Sequence, residues 1–438
     1  MSNDGQNPTT LRTTVTDTSP AQPDIALRLE TALRPLLRGP LPVRVTAWDG
    51  SVAGSEGPSV RLTSPDALRR LVWSAGELGA AQAYVTGELE IDGDVGTLLD
   101  TVRAELTRRG LTGFPTVDAL RSLPTLVGLA RELGLLTAPP TPPASQARLR
   151  GRAHTLRRDR SAISHHYDLS NDFYGLLLDP TMAYSSAWFG EGAELDPTRP
   201  LVEAQRAKLD LVCRALRLEE GDRLLDVGCG WGSLSLHAAE HFGAQVIGVT
   251  IAAEQKAYID EQVRARGLED RVRIELRDYR EVTGEFDAVG SIEMGEHVGQ
   301  ANYPTYVAAL RDRVRPGGHV LVQQMSRRGR HPGGGPFIEA FIAPDMHMRP
   351  LGETVELFES GGLEVRHVRA MREHYVWTVD AWLATFEEHE ERLTELVGEE
   401  VVRVWRLYLV GGRQAFRDGR MGVDQILSRR PDGLAGEG

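Results

Sequence analysis

Two glutamates stand three residues apart in the stretch SIEMGEHVG, Ser291–Gly299, with His297 beside the second. Glu293 and Glu296 follow the apolar run FDAVG, which reads as a buried strand. Carboxylates at the end of such a strand face solvent, hold a metal, or do acid–base chemistry. A metal centre is not expected, because the two acids and His297 are too local and no second ligand group stands out. Two close carboxylates cannot both ionise cheaply, so one pKa should rise. Glu293 and Glu296 are candidates for that acid–base chemistry. A solvent-facing or salt-bridged Glu293 is the bland alternative.

The elements that position this stretch alternate regularly. Helical TRPLVEAQRAKLDLVCRAL leads to strand-like DRLLDVGCG, helix GSLSLHAAEHF, strand AQVIGVTI and helix AEQKAYIDEQVRARG. Strands VRIELRD and FDAVGSI, helix YPTYVAALRDRV and strand GHVLVQQM follow. Short apolar strands separated by helices predict an α/β fold with a doubly wound parallel sheet. Ligands in such sheets bind outside the carboxyl ends of the strands.

The turn LLDVGCGWG joins the first strand to its helix, and Asp226, Gly228, Gly230 and Gly232 form a D-x-G-x-G-x-G pattern. Glycines there allow a tight turn and close approach of a ligand to the backbone. The next strand ends in Thr250 rather than an acid, which speaks against a nicotinamide dinucleotide. Thr250 and Gln255 are expected to hold ribose hydroxyls instead. This pattern, with RDYREV after the third strand, is typical of S-adenosylmethionine enzymes, and it puts Asp278 and Tyr279 near the adenine. Packing as a surface aromatic is the plain alternative for Tyr279.

The 438 residues allow two or three domains, and the composition is that of a globular protein. A net charge of -12 argues against a general nucleic-acid binder. Two cysteines build no disulfide framework and fit a reducing cytoplasm. No run of apolar residues is long enough for a membrane span. The expected layout is a disordered tail over 1–22 and an N-terminal α+β domain over 23–138, for lipid docking, dimerisation or a structural lid. A Pro/Arg-rich linker over 139–162, a catalytic domain over 163–430 and a short tail follow. The arginines from Arg148 to Arg160 form either a solvated helix face or a contact for anionic headgroups.

The segment from about Ile163 to Arg429 resembles the cyclopropane-fatty-acyl-phospholipid synthase family. The resemblance rests on HHYDLSNDFYGLLLD, MAYSSAWF, AQRAKLDLVC, LLDVGCGWG, GVTIAAEQ, RDYR, MGEHVG, NYPTYV and FIAPD, all in order. It implies a smaller N-terminal α+β domain, and methyl transfer from S-adenosylmethionine to a double bond in a phospholipid acyl chain. It also implies cofactor contacts at Tyr184, Ser185, Gly228, Gly230, Thr250 and Gln255, and a bicarbonate site beside the reacting methyl. Glu296, Tyr375 and His166 match that site. Its cysteine, however, is Ser186 here and its histidine is Gln323. Its usual glycine is Glu293, and its phenylalanine is Gly295. The altered site is expected to have replaced bicarbonate by the Glu293 carboxylate as general base, positioned by Tyr375, with Glu296 holding neighbouring groups or keeping its proton. Aromatic faces from Tyr184, Trp188, Phe341 and Tyr375 are expected against a cation.

A moved base changes where a carbocation loses its proton. The reading favoured by the resemblance is a branch making 10-methylene chains, which a flavin-dependent reductase then saturates to tuberculostearic-type acids. Cyclopropane formation is the alternative, a small-molecule methyltransferase the second, and a non-catalytic lipid-binding subunit the third. The expected location is the cytoplasm, at the inner face of the membrane, with a homodimer as one arrangement the family suggests.

Overall fold

The computed structural model describes residues 24–111, 116–147, 171–329 and 333–432. The arginine cluster Arg148–Arg160 and His166 lie outside these residues. The chain divides into two compact units. The smaller takes in residues up to Pro65, Glu90–Gly93 and Thr97–Leu135. It carries β1 (Arg44–Thr46), β2 (Val52–Ala53), β3 (Ser59–Leu62) and most of β4 (Leu89–Asp92), in the order β2-β1-β3-β4.

Residues Asp66–Leu89, expected in the N-terminal domain, group instead with the larger unit. The cause is the helix Glu77–Val85, ELGAAQAYV, in which Ala81, Gln82, Ala83, Tyr84 and Val85 are all buried. A run of five successive buried residues spans more than a full helical turn and needs cover on every side, with Gln82 satisfied by Gln146. Arg403 donates to the Tyr84 carbonyl at 3.0 Å as part of that cover. The described part of the proline-rich segment is tied down within the same unit. Arg69 and Arg70 donate to the carbonyls of Ala138 and Thr141, and the Ser145 amide donates to Glu400.

The larger unit is built on a seven-stranded sheet in the order β10-β11-β9-β8-β5-β6-β7. Its strands are β5 (Arg223–Val227), β6 (Gln245–Thr250), β7 (Val272–Leu276), β8 (Phe286–Ile292), β9 (Val314–Arg327), β10 (Glu364–Ala370) and β11 (Met421–Arg429). The strands from β7 across to β9 are parallel, as the alternating sequence predicts. The sheet is mixed rather than wholly parallel, because β11 pairs antiparallel with both β9 and β10. Helices Leu201–Ala215, Ser233–Phe242 and Ala253–Arg266 bury Leu209, Val212, Leu234, Ile259 and Val263 in one core. Helices Tyr303–Arg313 and Leu351–Ser360 bury Tyr306, Val307, Leu310 and Phe358 in another.

A third core is aromatic. Helices Asn171–Leu177, Arg372–Glu388 and Glu399–Arg417 supply Phe173, Tyr174, Tyr375, Trp382 and Trp405, which pack with Trp231 from the glycine turn. Burying each such ring removes enough apolar surface for about 2–3 kcal/mol. These rings therefore hold the three helices over the turn as well as lining it.

Candidate active site

The glycine turn sits where β5 gives way to the helix Ser233–Phe242. Gly228, Gly230 and Gly232 all have positive φ, at 75°, 54° and 81°. A Cβ at Gly228 would lie 2.7 Å from Met294 Cγ, and one at Gly232 would lie 2.9 Å from Ile259. These two glycines are required by close packing. At Gly230 a Cβ would meet nothing within 4 Å, so the turn opens there on free space. The amides of Gly228 and Cys229 both donate to the Val249 carbonyl, which ties the turn to β6. Asp226 is turned inward beneath the turn, where its carboxylate accepts from Ser235 Oγ at 2.7 Å. Burial raises its pKa to about 6. Asp226 is thus a brace for the turn rather than an exposed ligand.

At the end of β6, Thr250 Oγ1 donates to Gln255 Oε1 at 2.9 Å and accepts the Ala252 amide. Both side chains are buried at the mouth of the next helix, where the sequence places a ribose contact. At the end of β7, Asp278 is buried and its carboxylate is held by both the amide and the guanidinium of Arg280. The Tyr279 ring meets Tyr306 edge-on at 5.6 Å and carries Arg280 over its face. An open glycine turn flanked by a neutral hydroxyl–amide pair fits the adenosyl and methionyl parts of S-adenosylmethionine.

Glu293 follows β8 directly and is half-buried. Its Oε1 accepts from the Ser186 amide at 2.8 Å and from Gln323 Nε2 at 2.9 Å. Its Oε2 accepts from the Tyr375 hydroxyl at 2.7 Å. Three other positions singled out in the sequence therefore converge on its carboxylate. Ser186 takes part through its backbone, since its hydroxyl donates to the Ala187 carbonyl. Glu293 has φ +50°, a left-handed conformation that costs a residue with a Cβ about 1 kcal/mol or more. Glycine would relieve that strain, so the three donors are what hold the side chain there.

Gln323 is fixed in turn. It faces Gln425 across the β9–β11 pairing, and Gln425 Nε2 donates to Gln323 Oε1 at 3.0 Å. With its oxygen committed to Gln425, the Gln323 amide group must point toward Glu293. The adjacent Gln324 lies on the opposite side of β9, accepts from the Tyr303 hydroxyl at 2.5 Å and donates to Thr354. A Cβ at Gly295 would stand 2.2 Å from Gln324 Oε1, so a phenylalanine there would require the glutamine amide to move from its bonds to Tyr303 and Thr354.

Glu296 is fully buried, and neither of its oxygens has a hydrogen-bond partner among the described residues. Burial and the nearby Glu293 charge push its pKa up to about 8. Burial raises Glu293 too, but Tyr375, the Ser186 amide, Gln323 and the more distant Lys208 charge oppose that rise. Three donors favour the Glu293 anion, whereas at Glu296 burial and the Glu293 charge outweigh the nearby backbone amides and the Arg349 charge. The shared negative charge therefore rests on Glu293, and Glu296 keeps its proton at neutral pH.

A raised pKa means that folding binds a proton wherever the unfolded chain has released it. Wild-type stability then falls as pH rises from about 4.5 towards about 8. Glu296→Gln removes that proton linkage. Its melting temperature, compared with wild type from pH 5 to pH 8, is expected to decline less. Parallel declines would mean that Glu296 is ionised.

The aromatic wall runs from the cofactor side to Glu293. Tyr184 donates to the Tyr408 hydroxyl at 2.9 Å, and its ring lies 5.4 Å from Trp382 and 6.1 Å from Trp405. Trp382 meets Tyr375 edge-on at 6.0 Å. Trp188, expected on this wall, instead stacks on His374 at 4.3 Å with Arg369 over its ring. A face already beside a guanidinium does not serve a second cation. Phe341 pairs with Phe337 in the helix Pro336–Phe341.

The chain is similar over most of its length to known proteins. Residues 154–426 match the family described as mycolic acid cyclopropane synthetase. The chain is 37% identical over 412 residues to a probable fatty acid methyltransferase of Mycobacterium tuberculosis, covering 90% of this chain and 92% of that one. It is 32% identical over 398 residues to the tuberculostearic acid methyltransferase UfaA1 of the same organism, covering 88% and 87%. Among solved structures, the mycolic acid cyclopropane synthase CmaA1 complexed with SAH and CTAB superimposes with a TM-score of 0.58 at 29% identity. That match covers 62% of this chain and 98% of the other. The fold, the open glycine turn and the carboxylate site at the end of β8 thus accompany similarity over most of the chain, which belongs to the mycolic acid cyclopropane synthetase family of S-adenosylmethionine-dependent methyltransferases.

Proposed function

We propose that the enzyme methylates the double bond of an oleoyl-type phospholipid chain and makes a 10-methylene product, with Glu293 as its built-in base. The observation that carries this reading is the set of three donors spent on Glu293. The Tyr375 hydroxyl, which the family resemblance assigns to the bicarbonate site, and the amide of Ser186, at the position of the family's cysteine, both serve the glutamate. The family's histidine is replaced by an amide that also serves it. Bicarbonate does not fit a seat whose donors are already used.

When bound, S-adenosylmethionine supplies an electrophilic methyl group, and transfer to the alkene leaves a cation on the neighbouring chain carbon. Tyr184, Trp382 and Tyr375 face that charge with ring electrons and keep water away. Glu293 then takes a proton from the new methyl group. The basic atom is Oε2. Oε1 is held by two N–H donors that cannot reverse, whereas the Tyr375 hydroxyl on Oε2 can rotate and accept once the proton arrives. If a hydride first moves onto the cationic carbon, the charge lies beside the methyl, and its deprotonation forms C=CH2. If no hydride moves, the same deprotonation closes a cyclopropane, which is the alternative reading.

The substrate lies in a bilayer, and no helix among the described residues is long and apolar enough to cross one. We place the enzyme at the inner membrane face, handing its alkene to a flavin-dependent reductase, with a homodimer presenting two sites to one surface. Incubation of the protein with oleoyl phospholipid vesicles and methyl-labelled S-adenosylmethionine tests the substrate class. Label is expected in the acyl chains. Label in an amine or phenol alone would favour the small-molecule reading, and none anywhere would favour a non-catalytic subunit.

A further inference from the structure

Lysine is rare in this chain: only Lys208 and Lys256 occur among 50 lysine and arginine residues. Lys208 lies in the motif AQRAKL, has no exposed surface, and enters the chemistry above only as a distant charge acting on Glu293. Gln205 sits one turn earlier on the helix Leu201–Ala215 and is equally buried. Gln205 Nε2 donates to the carbonyls of Ala183 and Ser185, at 3.2 and 2.8 Å. Lys208 Nζ donates to Ser185 Oγ at 2.8 Å. One helix face thus grips the segment that carries Tyr184, Ser185 and the Ser186 amide.

The direction of the Lys208 bond matters. An ammonium only donates, so it occupies a lone pair of Ser185 Oγ and leaves the hydroxyl hydrogen to point elsewhere. Ser185 is nearly fully buried, and that hydrogen has no acceptor among the described residues. A cation behind a hydroxyl makes it a stronger donor, best matched by an anion. The charged and titratable groups facing Lys208 are Asp179, Asp226, Glu293, His237 and Cys213. No carboxylate among the described residues forms an ion pair with it, so its charge is not spent on one partner. Without the ammonium, three carboxylates would repel any anion brought to Ser185.

We propose that Lys208, acting through Ser185, is the positioning residue that seats the carboxylate of the cofactor's methionyl group. Ser185 touches the carboxylate, and Lys208 orients and strengthens its hydroxyl. Burial lowers the Lys208 pKa to about 8, so the ammonium is lost as pH rises through that value in the free enzyme. Cofactor affinity then falls above pH 8, and binding there takes up a proton.

The test is calorimetric titration of the full chain with S-adenosylhomocysteine, which needs no turnover. Lys208→Met and Ser185→Ala are each expected to weaken binding about tenfold or more, and the double variant no further, because the two act as one unit. Wild-type affinity is expected to drop between pH 7 and pH 9 with proton uptake seen across buffers of different ionisation enthalpy, and Ser185→Ala to lack that uptake. Losses that multiply in the double variant, or equal uptake in Ser185→Ala, would overturn the proposal. If Lys208→Met fails to fold, the buffer comparison of wild type with Ser185→Ala decides alone. Wild type that binds no ligand at all would instead refute the cofactor site itself.

Discussion

Glu293→Gln is expected to lower methyl transfer into oleoyl vesicles by about 10²–10⁴-fold, the range for loss of a positioned general base. The substitution keeps the size of the side chain but removes its ability to take a proton. Its NH2 group fits on the Tyr375 side, where the hydroxyl can rotate and accept, and its carbonyl oxygen still accepts from the Ser186 amide and Gln323 Nε2. Cofactor binding is expected to survive, because among the described residues no hydrogen bond joins the Glu293 side chain to the glycine turn or to the Thr250–Gln255 pair. The check is a single-turnover rate together with an S-adenosylhomocysteine titration. A variant within a few fold of wild type would remove Glu293 from the chemistry. Joint loss of turnover and binding would mean a structural role.

The second large effect concerns the anion that Glu293 displaces. Wild-type rate in carbonate-depleted buffer is expected not to change when bicarbonate is added. Glu293→Gly relieves the left-handed strain at φ +50° but leaves three donors around a vacated seat. Donors so placed fit a small oxyanion. The glycine variant should lose about 10²-fold or more of its rate, and millimolar bicarbonate, formate or acetate should restore part of it. Bicarbonate stimulation of wild type would show that the seat is still open and that the carboxylate reading is wrong. Failure of every small anion to rescue a folded Glu293→Gly would show that the three donors do not define an anion seat.

Much of this site was legible in the sequence because it lies in local patterns. The glycine turn, Thr250 after β6 and Glu293 after β8 follow from strand–turn–helix order alone. The convergence of Glu293, Ser186, Gln323 and Tyr375 follows once those residues are compared with a family pattern. Other features depend on pairings between distant strands. Gln425 matters only because β11 returns antiparallel beside β9, a pairing that nothing in MGVDQILSR announces. The same return makes the sheet mixed. Lys208 and Gln205 looked like ordinary helix residues, although a lone lysine in an arginine-using chain was a usable signal. Arg349 was also missed. It is buried against the Tyr303 face at 3.7 Å and reached from a loop with no pattern of its own. Ser186 was chosen for its side chain, and the structure uses its amide.

The identity of the product tests the central claim most directly. The fatty acids released after incubation of wild type with oleoyl phospholipid vesicles and S-adenosylmethionine should be examined by proton NMR, since methylene and cyclopropane products are isomers of equal mass. The account predicts vinylidene protons from a C=CH2 group. Upfield cyclopropane ring protons in their place would contradict it, and would make the Glu293 site a variant of ordinary ring closure.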